Sequence, residues 1–251
     1  MFQVSLPLER WEFGALDIHH PESSTLREYF RLIPMLEKIP GNIIELGVAR
    51  GRSLITTGLI LESLGSTKSV IGLDSFQGFP EYSPEDNFQN FEKLKDSGAI
   101  SAEHFERVRR NSSHVMARGG DVHPSKISTS QDFSNTSIGY VHSRVNYLGL
   151  SKRISIRAGD FTVDIKELIE AEKFSLILLD SDLFQSYART LPVLWKQLSP
   201  GGYVYLDEYY SLKFPGPRVA VNSFIETISN GKLQQLPSWM EFERWVIKKD
   251  R

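Results

Sequence analysis

The chain has 251 residues, 40% of them hydrophobic and 24% charged, enough to bury the core of one sizeable domain of ordinary globular composition. A formal net charge of -2 leaves no basic footprint for nucleic acid, and the absence of cysteine excludes disulfides, thiol nucleophiles and thiolate metal sites. No run approaches the roughly 18 apolar residues of a membrane span. The first residues carry no basic flank or long apolar stretch, so a cytoplasmic protein without membrane contact is the expectation.

In chain order, Thr25-Leu26-Arg27-Glu28 has the form of a capping box, and Leu26, Phe30, Ile33 and Leu36 then recur at helical spacing. Pro34 should kink or break that helix, and Pro40-Gly41 should close an N-terminal helical segment over residues 1–40. A first strand starts near Ile43. The next helix runs from Gly51 through Leu54, Ile55, Leu59 and Leu61 to Leu64, with Gly65 as its cap, and Val70-Ile71-Gly72-Leu73 is a second strand. Residues 80–150 interrupt this rhythm. They hold a predicted helix from Ser101 to Met116 and a stretch rich in Ser, Thr and Asn over 125–137, and an excursion of this length beside a sheet edge reads as a cover for a substrate.

Further along, Ile154-Ser155-Ile156 and the nearly all-apolar Phe174 to Leu179 read as strands, the second covered on both faces. Leu191 to Leu198 is helical, Ser199-Pro200-Gly201-Gly202 breaks the chain, and Tyr203 to Glu208 is a strand. Gly216-Pro217 opens another helix. Leu233 to Leu236 and Phe242 to Ile247 close the chain as an antiparallel pair. The expected fold is α/β: one Rossmann-like, doubly wound domain over 1–251, its sheet mostly parallel with an antiparallel C-terminal strand and helices on both faces.

Ligands of such sheets bind beyond the carboxyl ends of the strands. Glu45, Asp74, Asp160, Asp180, Asp207 and Glu208 all fall at or just past such ends, and six carboxylates along one edge require a cation or a polyhydroxyl ligand. The run Ile43 to Ser53 reads as a strand, an acid, a glycine turn and a helix start, followed by Asp74 after the second strand. Glycines admit a ligand to the backbone, the helix N-terminus offers free N–H groups, and Asp74 suits a ribose diol. The same turn would serve a nicotinamide-dependent oxidoreductase, although the chain lacks a full Gly-x-Gly-x-x-Gly run.

Four blocks carry a resemblance: Glu45-Leu46-Gly47-Val48-Ala49-Arg50-Gly51, Asp74-Ser75-Phe76-Gln77-Gly78-Phe79-Pro80, Asp180-Ser181-Asp182-Leu183-Phe184-Gln185-Ser186, and Gly201-Gly202-Tyr203-Val204-Tyr205-Leu206-Asp207-Glu208-Tyr209. Together they resemble the macrocin O-methyltransferase (TylF/MycF-like) family of class I S-adenosylmethionine-dependent methyltransferases, over roughly residues 40–80 and 155–227. The resemblance implies a Mg²⁺-dependent enzyme that methylates a hydroxyl of a small acceptor, a sugar or glycosylated natural product, as a homo-oligomer. A non-catalytic module that only binds S-adenosylmethionine is a further alternative. Ala49 replaces the middle glycine of the usual first motif, Asp207-Glu208 stands where the family often has Asp-Asp, and Leu183 occupies the position of a catalytic lysine in related catechol methyltransferases.

What the resemblance implies for the site is specific. Glu45, Gly47, Gly51 and Ser53 would receive the amino-acid head of the cofactor, Glu45 supporting either the turn or the ammonium group. Asp74 with Ser75 would take the ribose, Phe76 would lie beside the adenine, and Gly159-Asp160-Phe161 would add an adenine contact. Core packing is the competing expectation for Phe76 and Phe161. Asp180, Asp207 and Glu208 form an oxygen-only set suited to Mg²⁺ rather than zinc. Asp182 is placed as a supporting partner or the proton acceptor, and His142 is a second candidate base against the reading of a solvated histidine.

Overall fold

A computed structural model of the chain describes residues 6–128, 132–169, 171–237 and 242–251. Two short N-terminal helices, α1 (Arg10–Ala15) and α2 (Arg27–Met35), precede β1 (Asn42–Leu46), α3 (Arg52–Ser63) and β2 (Val70–Asp74). Four helices follow, α4 (Asn90–Asp96), α5 (Ala102–Ala117), α6 (Pro124–Ile127) and α7 (Ile138–Tyr147). The second half alternates β3 (Ile154–Ala158), α8 (Phe161–Ile169), β4 (Phe174–Leu179), α9 (Phe184–Gln197), β5 (Leu198–Leu206) and α10 (Gly216–Ile225), then ends on β6 (Gly231–Leu236) and β7 (Arg244–Lys249).

Among the described residues, seven strands form one sheet in the order β3-β2-β1-β4-β5-β7-β6. β1 to β5 are mutually parallel and β7 pairs antiparallel with both β5 and β6, as the sequence pattern predicts. Side-chain alternation splits the core into two layers. Ile43, Leu176, Leu178, Tyr205 and Val246 face α2, α3 and α7, whereas Ile44, Leu46, Ile177, Leu179 and Val204 face α8, α9 and α10. Chain order reverses between β1 and β4, which opens a crevice at their carboxyl ends. Among the described residues no helix is long and apolar enough to cross a membrane.

Several local expectations change. The capping box at Thr25 does not form: α2 begins at Arg27, its N-cap is Leu26 without a side-chain cap, and Ser24 Oγ accepts from Leu26 N–H. Glu28 is instead buried in the helix. Pro34 sits in the last turn of α2, so it ends the helix rather than kinking it. Ser199-Pro200-Gly201-Gly202 belongs to β5, whose register against β4 shifts between Phe174 and Leu176; a Cβ on Gly202 would lie 2.8 Å from the Ser175 carbonyl oxygen. Asp207–Tyr209 then leave the strand as a 3-10 turn.

Within 80–150, α5 matches its prediction and is capped by Ser101, whose hydroxyl accepts from His104 N–H. α7 was not legible. Its Val141 and Val145 are buried in the same layer as Leu54 and Ile154, so residues 138–150 are the crossover helix from β2 to β3 rather than part of a cover. The remaining excursion is closed at its base, where Phe79 N–H donates to the Asp132 carbonyl oxygen at 2.9 Å. It is also pinned to the core by the buried Asp86. Oδ1 of Asp86 accepts from Phe184 N–H at the start of α9 (2.8 Å), and Oδ2 accepts from the Ser83 N–H and hydroxyl.

Candidate active site

The β1–α3 turn is built by two close approaches. A Cβ on Gly47 (φ +92°) would stand 1.7 Å from the Asp180 carbonyl oxygen, and one on Gly51 (φ +76°) would stand 2.6 Å from Val141 Cγ1. Both positions therefore need glycine for packing against β4 and α7, a reason internal to the fold. Gly47 lines the crevice, whereas Gly51 does not. Ala49 (φ +45°) and Phe76 (φ +54°) also adopt left-handed backbone without being glycine. One carboxylate secures both: Asp74 Oδ2 accepts from Ala49 N–H and Oδ1 from Phe76 N–H, each at 2.7 Å. Each oxygen keeps a further lone pair for a ligand hydroxyl.

This turn forms one wall of a cavity of about 640 Å³. Ser53, Asp74 and Ser75 line it with Gly47, and Asp160 and Phe161 line it from the β3–α8 connection. Asp180 and Asp182 line it at the end of β4, and Phe79 and Phe133 line it from the two ends of the excursion. Of the expected site residues, Glu45, Asp207 and Glu208 are not among those lining the cavity, and three further contacts are displaced. Phe76 packs against the core layer and does not line the cavity; its left-handed backbone turns the ring inward while Gln77 faces the opening. Gly159 lies beneath the Leu168 side chain, 3.0 Å from where its Cβ would be. His142 is exposed, because α7 presents Val141 and Val145 to the core, and it is not part of the cavity wall.

Glu45 is fully buried on β1, directly behind the turn. Its Oε1 accepts from the Ser53 hydroxyl at 2.7 Å, so that proton is committed to Glu45. Its Oε2 has no hydrogen-bond partner. Burial, reinforced by the charge of Asp74, pushes the Glu45 carboxyl up to about 8. An unpartnered buried carboxylate oxygen fits a proton or a cationic group.

At the ends of β4 and β5, Asp180, Asp207 and Glu208 bring one carboxylate oxygen each within 4.8 Å of one another. Burial first, then the charges of Asp207 and Asp182, holds Asp180 well above the usual carboxylate range. Burial likewise raises Glu208, and it pushes Asp182 up to about 7 against the opposing charge of Lys213. The Tyr187 hydroxyl stands 2.6 Å from Glu208 Oε2 and 2.8 Å from the Leu179 carbonyl oxygen. A hydroxyl has one proton for two acceptors, so Glu208 is best satisfied when it carries a proton or meets a cation. Asp207 Oδ1 has no hydrogen-bond partner and faces Arg244 Nη1 at 3.8 Å. Three converging oxygen ligands with mutual repulsion and unmet acceptors fit a hard divalent cation.

Sequence reasoning missed His19, which lines the cavity from the segment after α1, and Arg52, at the first position of α3. Neither carried a signal, since His19 lies in no motif and meets the turn only through the packing of α1. The Phe79 and Pro80 contacts were within a quoted block but were not assigned a role.

This fold, with a glycine turn after β1, an acid after β2 and acids after β4 and β5, is that of Rossmann-like methyltransferases. The chain belongs to the macrocin-O-methyltransferase (TylF) family, whose profile it matches over residues 24–123 and 121–231. Among curated proteins it is 27% identical over 177 residues to the 8-demethyl-8-(2,3-dimethoxy-alpha-L-rhamnosyl)-tetracenomycin-C 4'-O-methyltransferase of Streptomyces olivaceus, covering 70% of this chain and 55% of that protein. It is 26% identical over 190 residues to the mycinamicin III 3''-O-methyltransferase of Micromonospora griseorubida, covering 74% and 61%. The chain thus spans little more than half the length of the curated relatives it matches. Among solved structures, the O-methyltransferase NovP superposes with a TM-score of 0.61 at 20% identity, covering 90% of this chain and 79% of that one, a likeness of fold.

Proposed function

We propose that this protein transfers a methyl group from S-adenosylmethionine to a hydroxyl of a sugar or glycosylated natural product, with Mg²⁺ held by Asp180, Asp207 and Glu208. The observation that carries the reading is that a single cavity joins the Gly47–Asp74 cradle to the carboxylates of Asp180 and Asp182. Family membership favours methyl transfer over the hydride transfer that the first turn alone would allow. The relatives named for methylating sugar positions support the acceptor class.

When bound, the cofactor supplies a methyl group on a sulfonium, and the cation supplies positive charge that acidifies a neighbouring alcohol. The chain's own residues position and deprotonate. Asp74 receives the ribose hydroxyls while holding the turn, Phe161 flanks the base, and the unpartnered Oε2 of Glu45 meets the ammonium group. Phe79 and Phe133, with ring centroids 5.3 Å apart, line the same cavity as Asp182 and suit the apolar face of a pyranose. Asp182 accepts the acceptor's hydroxyl proton on its carboxylate. The segment 80–137 serves as the cover, pinned by Asp86.

The test is turnover of isotopically labelled S-adenosylmethionine with a panel of glycosides, with and without metal chelation. Methylated product that disappears on chelation and returns with Mg²⁺ is expected. Methylation unaffected by complete chelation would remove the metal from the reading. Binding of S-adenosylhomocysteine without turnover of any glycoside would favour a binding module.

A further inference from the structure

β5 pairs with β4 and β7 as far as Leu206, so Asp207 and Glu208 lie just past the last rung of the sheet. Beyond it the chain turns as a 3-10 segment and continues through Tyr210, Ser211 and Leu212. The carboxylates of Asp180, Asp207 and Glu208 repel one another at separations within 4.8 Å, and the sheet ladder does not hold the last two in place. Tyr187, whose hydroxyl accepts from the Glu208 N–H at 3.3 Å, and Asn222, which bonds the Tyr209 hydroxyl, hold the start of this exit.

α5, in the excursion, holds the rest. His104, Arg107 and Asn111 recur at i, i+3 and i+7, which places them on one face of the helix. Together they meet three consecutive residues. The His104 ring stacks on Tyr210 with centroids 4.0 Å apart, and its Nε2 lies 2.8 Å from the Ser211 carbonyl oxygen. Arg107 donates to the Tyr210 hydroxyl, and Asn111 Nδ2 donates to the Leu212 carbonyl oxygen at 3.1 Å.

His104 is buried and its polar atoms are all committed. Its backbone N–H donates to Ser101 Oγ at the N-cap of α5. Burial lowers the imidazole, with the Arg218 charge adding to it and the bond to Ser211 opposing it, so the ring is neutral at neutral pH and carries one N–H. A carbonyl oxygen can only accept, so that proton sits on Nε2, and Nδ1 accepts from Arg218 Nη1 at 3.4 Å. Arg218 in turn lies over the Tyr209 ring, 4.0 Å from its centroid. A histidine bonded in this way has no proton to exchange with a substrate; it fixes geometry.

We infer that His104, with Arg107 and Asn111, is a positioning residue for the cation site: it grips the chain after Glu208 so that Asp207 and Glu208 stay converged on Asp180. This role rests on the metal reading above and gives α5 a task besides covering the acceptor.

The experiment titrates the full chain with Mn²⁺ as a spectroscopic stand-in for Mg²⁺, reading free Mn²⁺ by electron paramagnetic resonance. His104→Asn, whose amide reaches the Nδ1 position but not Nε2, frees the Ser211 carbonyl and is expected to weaken Mn²⁺ binding about tenfold. His104→Gln, whose amide nitrogen reaches the Nε2 position, should recover the affinity to within about threefold. Both variants should bind S-adenosylhomocysteine, in chelator, within about twofold of the unsubstituted chain. Val108→Ala is the control, on the same helix but packed in the apolar cluster with Phe91 and Ile100. It should lower the melting temperature while changing Mn²⁺ affinity less than about twofold. Asn111→Ala, which frees the Leu212 carbonyl, carries the test if His104→Asn does not fold, with an expected loss of about threefold. Unchanged Mn²⁺ affinity, a glutamine variant no better than the asparagine one, or an equal loss in Val108→Ala would overturn the positioning role. Failure of the unsubstituted chain to bind Mn²⁺ would instead overturn the metal reading, and this role with it.

Discussion

The two halves of the cavity solve opposite problems. Around the glycine turn, Asp74 accepts from two backbone N–H groups and Ser53 donates to Glu45, whose Oε2 alone is left without a partner. At the acidic end, Asp180 and Asp182 line the cavity, Asp207 and Glu208 converge on Asp180, and burial drives Asp180, Asp182 and Glu208 toward protonation. The first half is shaped by hydrogen bonds that the Asp74 and Glu45 side chains accept from the turn and from the start of α3. The second is a set of like charges whose repulsion is relieved only by protons or a cation. The contrast teaches which substitutions should report on binding and which on chemistry.

The largest effect should come from the acidic half. Asp180→Asn is expected to lower single-turnover methyl transfer about a thousandfold while leaving S-adenosylhomocysteine affinity within about twofold. Loss of cofactor affinity in step with the rate would merge the two halves into one site. The next effect belongs to Asp74. Its removal frees the N–H groups of both Ala49 and Phe76, residues in left-handed backbone, as well as any ribose contact. Asp74→Ala should therefore weaken S-adenosylhomocysteine by tenfold or more, and lower stability by about 1–3 kcal/mol in denaturant titration. A variant that loses affinity at unchanged stability would mean that the turn holds itself.

The smallest effect is a pH dependence at Glu45. Its folded-state value of about 8 lies above the ordinary glutamate value of 4.5, so the protonated form favours folding. That stability is fully present below about pH 4.5 and is lost as pH rises through 8. Glu45→Gln should match the unliganded wild type near pH 4.5 and melt progressively higher than it as pH rises through 8. The same variant should bind S-adenosylhomocysteine more weakly. A melting difference that stays constant across the range would show that Glu45 does not titrate between these limits.

Much of the architecture was readable from periodicity. The nearly all-apolar Phe174 to Leu179 run, the glycine turn after Ile43 and the alternation near the C-terminus each follow from local burial, and each appears where expected. α7 escaped because its polar exposed face masks two buried valines, and a helix of this kind declares itself only when a sheet is present to cover. The β5 start escaped for a related reason: Ser199 to Gly202 reads as a breaker alone, but becomes a strand with a register shift once β4 lies beside it. The turn before the last strand, Ser238-Trp239, lies outside the described residues.

The site divides in the same way. Residue chemistry by itself determined that acids gather at the carboxyl ends of the strands, because parallel strands are short, apolar and terminated by polar residues. It also named the cradle acid Asp74 and the trio Asp180, Asp207 and Glu208, which the fold does bring within one ion's reach. Only the tertiary structure decided which residues face the cavity: it turned Phe76 inward, put Gly159 beneath Leu168 and His142 on an exposed helix face, and brought in His19 from a distant segment. The physical reason is that the direction of a side chain depends on what covers its backbone, and in this protein those covers, α1, α7 and the excursion, come from residues remote in sequence.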